Sequence, residues 1–470
     1  MDINPYFELF QKQKTHHPKV RLADHGARIQ KLKRLRQAIF DLQPEIQKGV
    51  YLDFRKHPAE VDLTEIFVVI SEINHTIRHL KKWMRPSGVS TPMALFGTRS
   101  QVFYEPKGVT LIIAPWNYPF QLLVGPLVAA IAAGNCAIVK PSEFTPHTAA
   151  AVRKLIAAVF KEDEVAMVEG AADATQKLLE LPFDHILFTG STKVGKIVMA
   201  AAAKNLTSVT LELGGKSPAL IDSSAQMKTT ANRVIWGKFV NAGQTCIAPD
   251  YVLIAENRLA EFITEAKVVI SKFYGANTET RDKTPELCRI INPTHFHRLK
   301  GLIEDSQRRG ANIEVGAVYK AEENYIAPTL ISNVTLDSKI MEEEIFGPIL
   351  PILTYKSLDQ AISIINGKDK PLALYIFSQD QSNINHILTH TTAGGTCVNN
   401  TLIHLGNPNL PFGGVGPSGL GSYHGLYGFK AFSHERAVMR QSWLDMMKQF
   451  YPPYTPWVKR MIQFVVKHLA

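Results

Sequence analysis

From residue 26 to residue 83, apolar side chains recur every three or four positions with charged residues between them. The stretches "ARIQKLKRLRQAIFDLQPEIQKGVYLDF" and "DLTEIFVVISEINHTIRHLKKWM" both carry this period, which predicts long amphipathic helices. Pro86-Ser87-Gly88 breaks it. The next stretch, "SQVFYEPKGVTLIIAPWN", reads as two strands around Pro106-Lys107-Gly108. Short apolar runs then alternate with helical ones. "VTLIIAP", "NCAIVKPSE", "AMVEG" and "HILFTG" read as strands. "FQLLVGPLVAAIAAG", closed by Gly134 as a C-cap, "TAAAVRKLIAAVF" and "STKVGKIVMAAAAKN" read as helices. That alternation predicts a parallel sheet covered by helices on both faces. A second α/β stretch follows Gly214-Gly215, with strands "SPALID", "YVLIAE", "ILPILTY" and "LALYIFS". There is no tandem repeat and no low-complexity segment.

Composition narrows the class. The 470 residues are 45% hydrophobic and 20% charged, enough for a large core and two or three domains. The four cysteines, Cys136, Cys246, Cys288 and Cys397, are far apart and form no CxxC, so neither a disulfide framework nor a metal pattern is expected. This points to a reducing, cytoplasmic setting. The N-terminus carries no secretory h-region, and no apolar run is long enough to span a bilayer. The net charge is +10, with nine Lys and Arg against Asp24 alone in residues 12–36. A solvated helix face accounts for that run, with attraction to an anionic surface as the alternative. No aromatic platform or binding motif accompanies it, which argues against nucleic acid.

Five short stretches carry chemistry. Cys246, in "NAGQTCIAPDYVLI", sits between a small polar loop and a strand, as either a buried core thiol or a nucleophile. In "LELGGKSP", Glu212 lies between two leucines, where apolar surroundings raise a carboxyl pKa and suit a general base. Asn117, between the prolines of "APWNYPF", is placed either to donate to an oxyanion or to close a turn. Gly190, Ser191 and Gly195 of "FTGSTKVG" form a strand-to-helix turn that could cradle a phosphate, although the stretch is not GxGxxG. Lys140 and Glu143 of "VKPSE" fall at the carboxyl edge of the predicted sheet, where ligands bind, or form a surface pair.

"WNYPF", "KPSE", "FTGST", "LELGGKSP", "GQTCIAPDY", "EEIFGPILP" and "LPFGGVGPSGLGSYHG" follow one another in the order of the aldehyde dehydrogenase superfamily, which the chain resembles over most of its length. "APDY" and "YHG" with the later "FSH" resemble the class 3 branch of fatty, aromatic and coniferyl aldehyde dehydrogenases. The resemblance implies an α/β fold with a Rossmann-type cofactor domain, an α/β catalytic domain and a small bridging β element. It implies a cofactor-binding domain in residues 1–85 and 109–212 and a catalytic domain in 213–400. A bridging element would take 86–108 and 401–430, leaving 431–470 as a tail. It implies Cys246 as the nucleophile, Asn117 with the Cys246 N–H as the oxyanion site, and Glu212 as the base for hydrolysis. Lys140 and Glu143 would meet the adenosine ribose and Ser191 the pyrophosphate. Glu344 would hold the nicotinamide ribose, with Phe346 packed near the ring. NAD is the implied cofactor, with NADP also admitted. A homodimer is the implied assembly and a small aldehyde the substrate, with Trp236, Tyr118 and Thr401 to His404 near its entrance. His404, His424 and His434 are expected to be structural.

The C-terminal "YPPYTPWVKRMIQFVVKHLA" projects as an amphipathic helix. Trp457, Val458, Met461, Ile462, Phe464, Val465, Val466 and Leu469 share one face, and Lys459, Arg460, Gln463 and Lys467 the other. It could dock on the body or a dimer partner, or lie on a membrane surface. The rival functional readings are a semialdehyde- or coniferyl aldehyde-specific relative, a cofactor-independent cysteine esterase, and a non-enzymatic binding protein on the same scaffold.

Overall fold

The computed structural model describes residues 4–445 and 447–468. A six-stranded sheet is built from Val165–Met167, Cys136–Lys140, Val109–Ile113, His185–Thr189, Ser208–Glu212 and Gly419–Leu420, in that spatial order. All its pairings are parallel except the last. The chain order reverses beside Val109–Ile113, so the carboxyl ends of that strand and its neighbours open on a crevice. A seven-stranded sheet follows, ordered Asn312–Val315, Thr329–Ser332, Ile349–Tyr355, Tyr251–Ala255, Pro218–Ile221, Ala373–Phe377 and Gly395–Val398. It too is parallel apart from its first strand. The expected fold, a Rossmann-type sheet joined to a second α/β layer and a small β element, is what the chain forms.

The small element differs from expectation in where its third strand comes from. Ser87–Val89 and Thr98–Pro106 are joined by Ser433–Gln441, which lies in the stretch assigned to the tail. Residues 401–430 instead send Gly419–Leu420 back to the six-stranded sheet. The sequence "SHERAVMRQ" has no apolar run, because this strand is a largely exposed edge. The two runs flanking Pro106-Lys107-Gly108 are both strands, but in different sheets.

The helix Gln121–Ala133 is buried at every residue, so its terminal backbone groups need internal partners. Glu65 accepts from Phe120 N at 2.9 Å and Gln121 N at 3.3 Å. At the other end Arg28 donates to Ala132 O at 3.0 Å, and Gly134 takes φ +90° where a Cβ would lie 2.5 Å from the guanidinium. Glu65 sits in a π-helical turn, Asp62–Ile66, and pairs with Lys56 at 3.0 Å with both side chains fully buried. Lys56 also lies over the Tyr118 ring, 4.1 Å from its centroid.

Removing one partner of such a pair leaves a buried charge alone and costs about 3–5 kcal/mol. Lys56→Met is expected to lower the urea midpoint strongly, and Lys56→Met with Glu65→Gln to recover part of the loss. A single variant as stable as wild type would contradict this.

Candidate active site

Two loops meet at the crevice. One carries Asn117, just past the strand Val109–Ile113. The other carries Cys246 and folds sharply, with Asn241 at φ 55° and Ala242 at φ 51°. Glu60, half-buried, stabilises that turn by accepting from Asn241 N at 2.8 Å. Asn117 Nδ2 donates to Gln244 O at 3.0 Å, and Asn241 Nδ2 donates to Asn117 O at 2.9 Å. Tyr118 and Thr245 share a hydroxyl hydrogen bond of 2.7 Å. Gln244 Oε1 accepts from Ile291 N at 3.0 Å, tying the loop to a third segment. Asn117 therefore has one amide N–H committed and one left to give.

Glu212 ends the strand Ser208–Glu212 and is 2% exposed. Both its carboxylate oxygens lack a hydrogen-bond partner, as does the hydroxyl of Thr189 beside it in register. Burial pushes the Glu212 carboxyl well above its ordinary range. The half-buried Cys246 thiol is also raised, by burial first and then by Glu344 and Glu212; its own N–H and that of Ile247 act the other way. The structure thus brings Glu212 and Glu344 within electrostatic reach of the Cys246 thiol.

Glu344 lies on the loop before Ile349–Tyr355, with its carboxylate packed so closely on Gly214 that a Cβ there would fall 2.1 Å from an oxygen. Burial, then the Asp250 charge, raises it to about 8 against an N–H of Gly215 and the nearby Lys216 and Lys238. Lys216 donates to Asp250, to Ile340 O at 2.8 Å and to Glu343 O at 2.8 Å. Asp250 accepts from Ile345 N at 2.8 Å, and Arg298 donates to Ile345 O at 2.6 Å. Phe346 takes φ 49° and meets Trp116 edge-on at 5.3 Å. Gly243 approaches Gly347 O so closely that a Cβ would lie 2.2 Å away, which joins the Cys246 loop to this one.

Lys140 ends its strand 3% exposed and pairs with Glu143 at 3.2 Å. Ser191 caps the helix Thr192–Ala203, accepting from Val194 N at 3.4 Å. A Cβ at Gly190 would strike the Phe188 ring at 2.5 Å, and one at Gly195 would strike Leu213 at 2.7 Å. Glycine at these positions lets the helix N-terminus come close to the crevice, where it favours an anion.

This architecture has relatives. Residues 8–438 match the pattern of the Aldehyde dehydrogenase family. The chain belongs to the aldehyde dehydrogenase family. It is 46% identical over 431 residues to the 4,4'-diaponeurosporen-aldehyde dehydrogenase of Staphylococcus aureus, covering 92% of this chain and 93% of that one. It is 42% identical over 430 residues to aldehyde dehydrogenase family 3 member B1 of Rattus norvegicus, covering 91% and 90%. It superposes on a substrate-bound Staphylococcus aureus AldH structure with a TM-score of 0.94 at 44% identity, covering 99% and 100%. The protein is an aldehyde-oxidising enzyme that uses NAD or NADP.

The expected entrance residues divide. Tyr118 is buried, with its hydroxyl engaged, and Trp236 is half-buried. Thr401 is fully buried and donates to Arg233 O at 2.8 Å, which ties it to the helix Met227–Phe239. Both ring nitrogens of His404 are buried without partners, and burial lowers it to about 4. His424 pairs with Glu72 at 3.6 Å. Sequence reasoning missed Glu60, Asn241, Gln244, Lys216, Asp250 and Arg298. Asn241, Gln244, Lys216 and Asp250 stood inside quoted motifs, but spacing alone does not show what they meet.

The folded protein keeps a proton on Glu344 up to about pH 8, whereas the unfolded chain gives it up near 4.5. Glu212 shifts in the same direction. Between those limits the folded state binds more protons, so stability falls as pH rises. Thermal unfolding of the cofactor-free protein is expected to show a declining Tm from about pH 5 to 8, and Glu344→Gln to reduce the decline by about 2 °C or more. Parallel curves for wild type and variant would contradict the assignment.

Proposed function

We propose that this enzyme oxidises medium- or long-chain aliphatic or aromatic aldehydes to carboxylic acids through a covalent adduct on Cys246. The observation that carries the reading is the unpartnered, buried Glu212 carboxylate within electrostatic reach of the Cys246 thiol. A buried acid of raised pKa is suited to accept a proton near neutral pH. The Cys246 thiol gives its proton to water, and the thiolate adds to the aldehyde carbon. The uncommitted N–H of Asn117 and the Cys246 N–H hold the developing oxyanion. Bound NAD(P)+ supplies the two-electron acceptor that makes the adduct a thioester. Glu212 then takes a proton from water as it attacks, and Cys246 leaves as thiolate with the acid released. Sulfur suits both halves, since it adds readily and leaves readily.

The cofactor reading rests on a fit of this chain's residues. The helix N-terminus at Ser191, the close approach at Gly190 and Gly195, and the buried Lys140 beside Glu143 suit a dinucleotide's pyrophosphate and ribose. Glu344 and Phe346 stand on the loop clamped by Lys216, Asp250 and Arg298 and would hold the nicotinamide ribose and flank its ring.

The finer setting belongs to the same proposal. Four unbridged cysteines suit a reducing cytoplasm. The long open edge of Ser433–Gln441 supports a homodimer built through the three-stranded sheet. No described helix is long and apolar enough to cross a membrane. The terminal helix Pro456–His468 buries Val458 but leaves Trp457 58%, Phe464 59% and Val466 67% exposed beside Lys459, Arg460 and Lys467. Leu469, expected on the same face, lies outside the described residues. Such a helix suits an anionic membrane surface.

Wild-type protein is expected to reduce NAD+ or NADP+ with hexanal, decanal or benzaldehyde. Cys246→Ala should form no reduced cofactor, and Asn117→Ala should turn over about 100- to 1,000-fold more slowly. Turnover by folded Cys246→Ala would overturn the mechanism. For the tail, the full chain should co-sediment with phosphatidylserine vesicles and a chain lacking residues 452–470 should not; equal soluble fractions would remove the membrane reading.

A further inference from the structure

The turn that leads to Cys246 is strained and tightly held. Asn241 takes φ 55° and ψ 28°, and Ala242 takes φ 51° and ψ 33°. Two successive left-handed residues without glycine cost backbone energy, which their surroundings must offset. Asn241 is fully buried. Its N–H donates to Glu60 at 2.8 Å. Its carbonyl accepts from Gln244 N at 3.0 Å and from Gln244 Nε2 at 3.1 Å. These backbone contacts hold the turn without help from the Asn241 side chain.

The side chain is spent elsewhere. Asn241 Nδ2 donates to Asn117 O at 2.9 Å and to Gln244 O at 3.0 Å. Its two N–H groups therefore bridge two loops, one of them 124 positions away in the chain. The partners fix which way the amide points. Nδ2 faces two carbonyl oxygens, and Oδ1 faces the Cys288 thiol at 3.9 Å. Turned over, the amide would set its oxygen against both carbonyls. Gln244 O also accepts from Asn117 Nδ2 at 3.0 Å. Gln244 is anchored from its far side, where Nε2 donates to Arg289 O at 3.1 Å and Oε1 accepts from Ile291 N at 3.0 Å.

These bonds close a ring. It holds the Asn117 backbone and one edge of the Asn117 amide against the carbonyl of Gln244, two residues before Cys246. The second Nδ2–H of Asn117 and the Cys246 N–H come from different loops. Oxyanion donors are effective only when they are held in place before the reaction. Without the Asn241 amide, Asn117 would keep a single bond to Gln244, about which its side chain could swing.

Taking Asn117 and Cys246 as the oxyanion donors of the mechanism above, we propose that Asn241 is a positioning residue. Its amide locks the free N–H of Asn117 beside the N–H of Cys246. It acts through Asn117 and not on the aldehyde.

The test is a double-mutant cycle on single-turnover NADH formation, with the full-length enzyme in excess over hexanal and with NAD+ present. Asn241→Gly suits the left-handed backbone, keeps the N–H to Glu60 and removes the amide. Asn241→Asp keeps the volume but sets a carboxylate oxygen against both carbonyls. Each is expected to slow the turnover about tenfold or more, with the KM for NAD+ changed by less than about twofold. In an Asn117→Ala background, Asn241→Gly should change the rate by less than about twofold, because the donor it positions is gone. The same loss in both backgrounds would overturn the proposal, as would a wild-type rate in Asn241→Gly. A wild-type rate in Asn117→Ala would instead remove the oxyanion assignment itself.

Discussion

A carboxylate without a hydrogen-bond partner is costly in a water-poor cleft, and the active site is organised around that cost. Glu212 has no partner for either oxygen, and the Cys246 thiol sits within its field. Glu344 adds a third acid that burial holds at about 8. Burial raises both carboxyls above their ordinary range, which suits Glu212 to take a proton from water.

The surrounding chain keeps the groups crowded. Glu60 and the Lys56–Glu65 pair come from two short helical segments and the connection before them, far earlier in sequence, yet they anchor the turn at Asn241 and the start of the helix that follows Asn117. Lys216 and Asp250 grip the loop on either side of Glu344. The close contact of Gly243 with Gly347 makes the thiol loop and the Glu344 loop neighbours. Displacing one of these supports would move a reacting group and not merely loosen a surface.

Much of this was legible in the sequence. Alternating apolar runs predicted the parallel sheets, because buried parallel strands need continuous apolar segments and the helices between them need one apolar stripe. The places of Asn117, Lys140, Gly190, Ser191 and Glu212 at strand ends and turns were legible because such positions have local signatures. The edge strand Ser433–Gln441 was not, since a solvent-facing strand has no hydrophobic period to read. Nor were Glu60, Glu65 and Arg298, whose roles rest on contacts across more than forty residues of chain. Thr401 read as an entrance residue, but its hydroxyl is spent on Arg233 O.

The central claim is that oxidation passes through an acyl group on Cys246 that Glu212 is needed to hydrolyse. The most direct measurement is rapid quench of Glu212→Gln with hexanal and NAD+, followed by peptide mass spectrometry. The account predicts a hexanoyl group accumulating on the Cys246 peptide alongside a single burst of NADH. A burst with no acyl group on Cys246, or an acyl group on another residue, would contradict it.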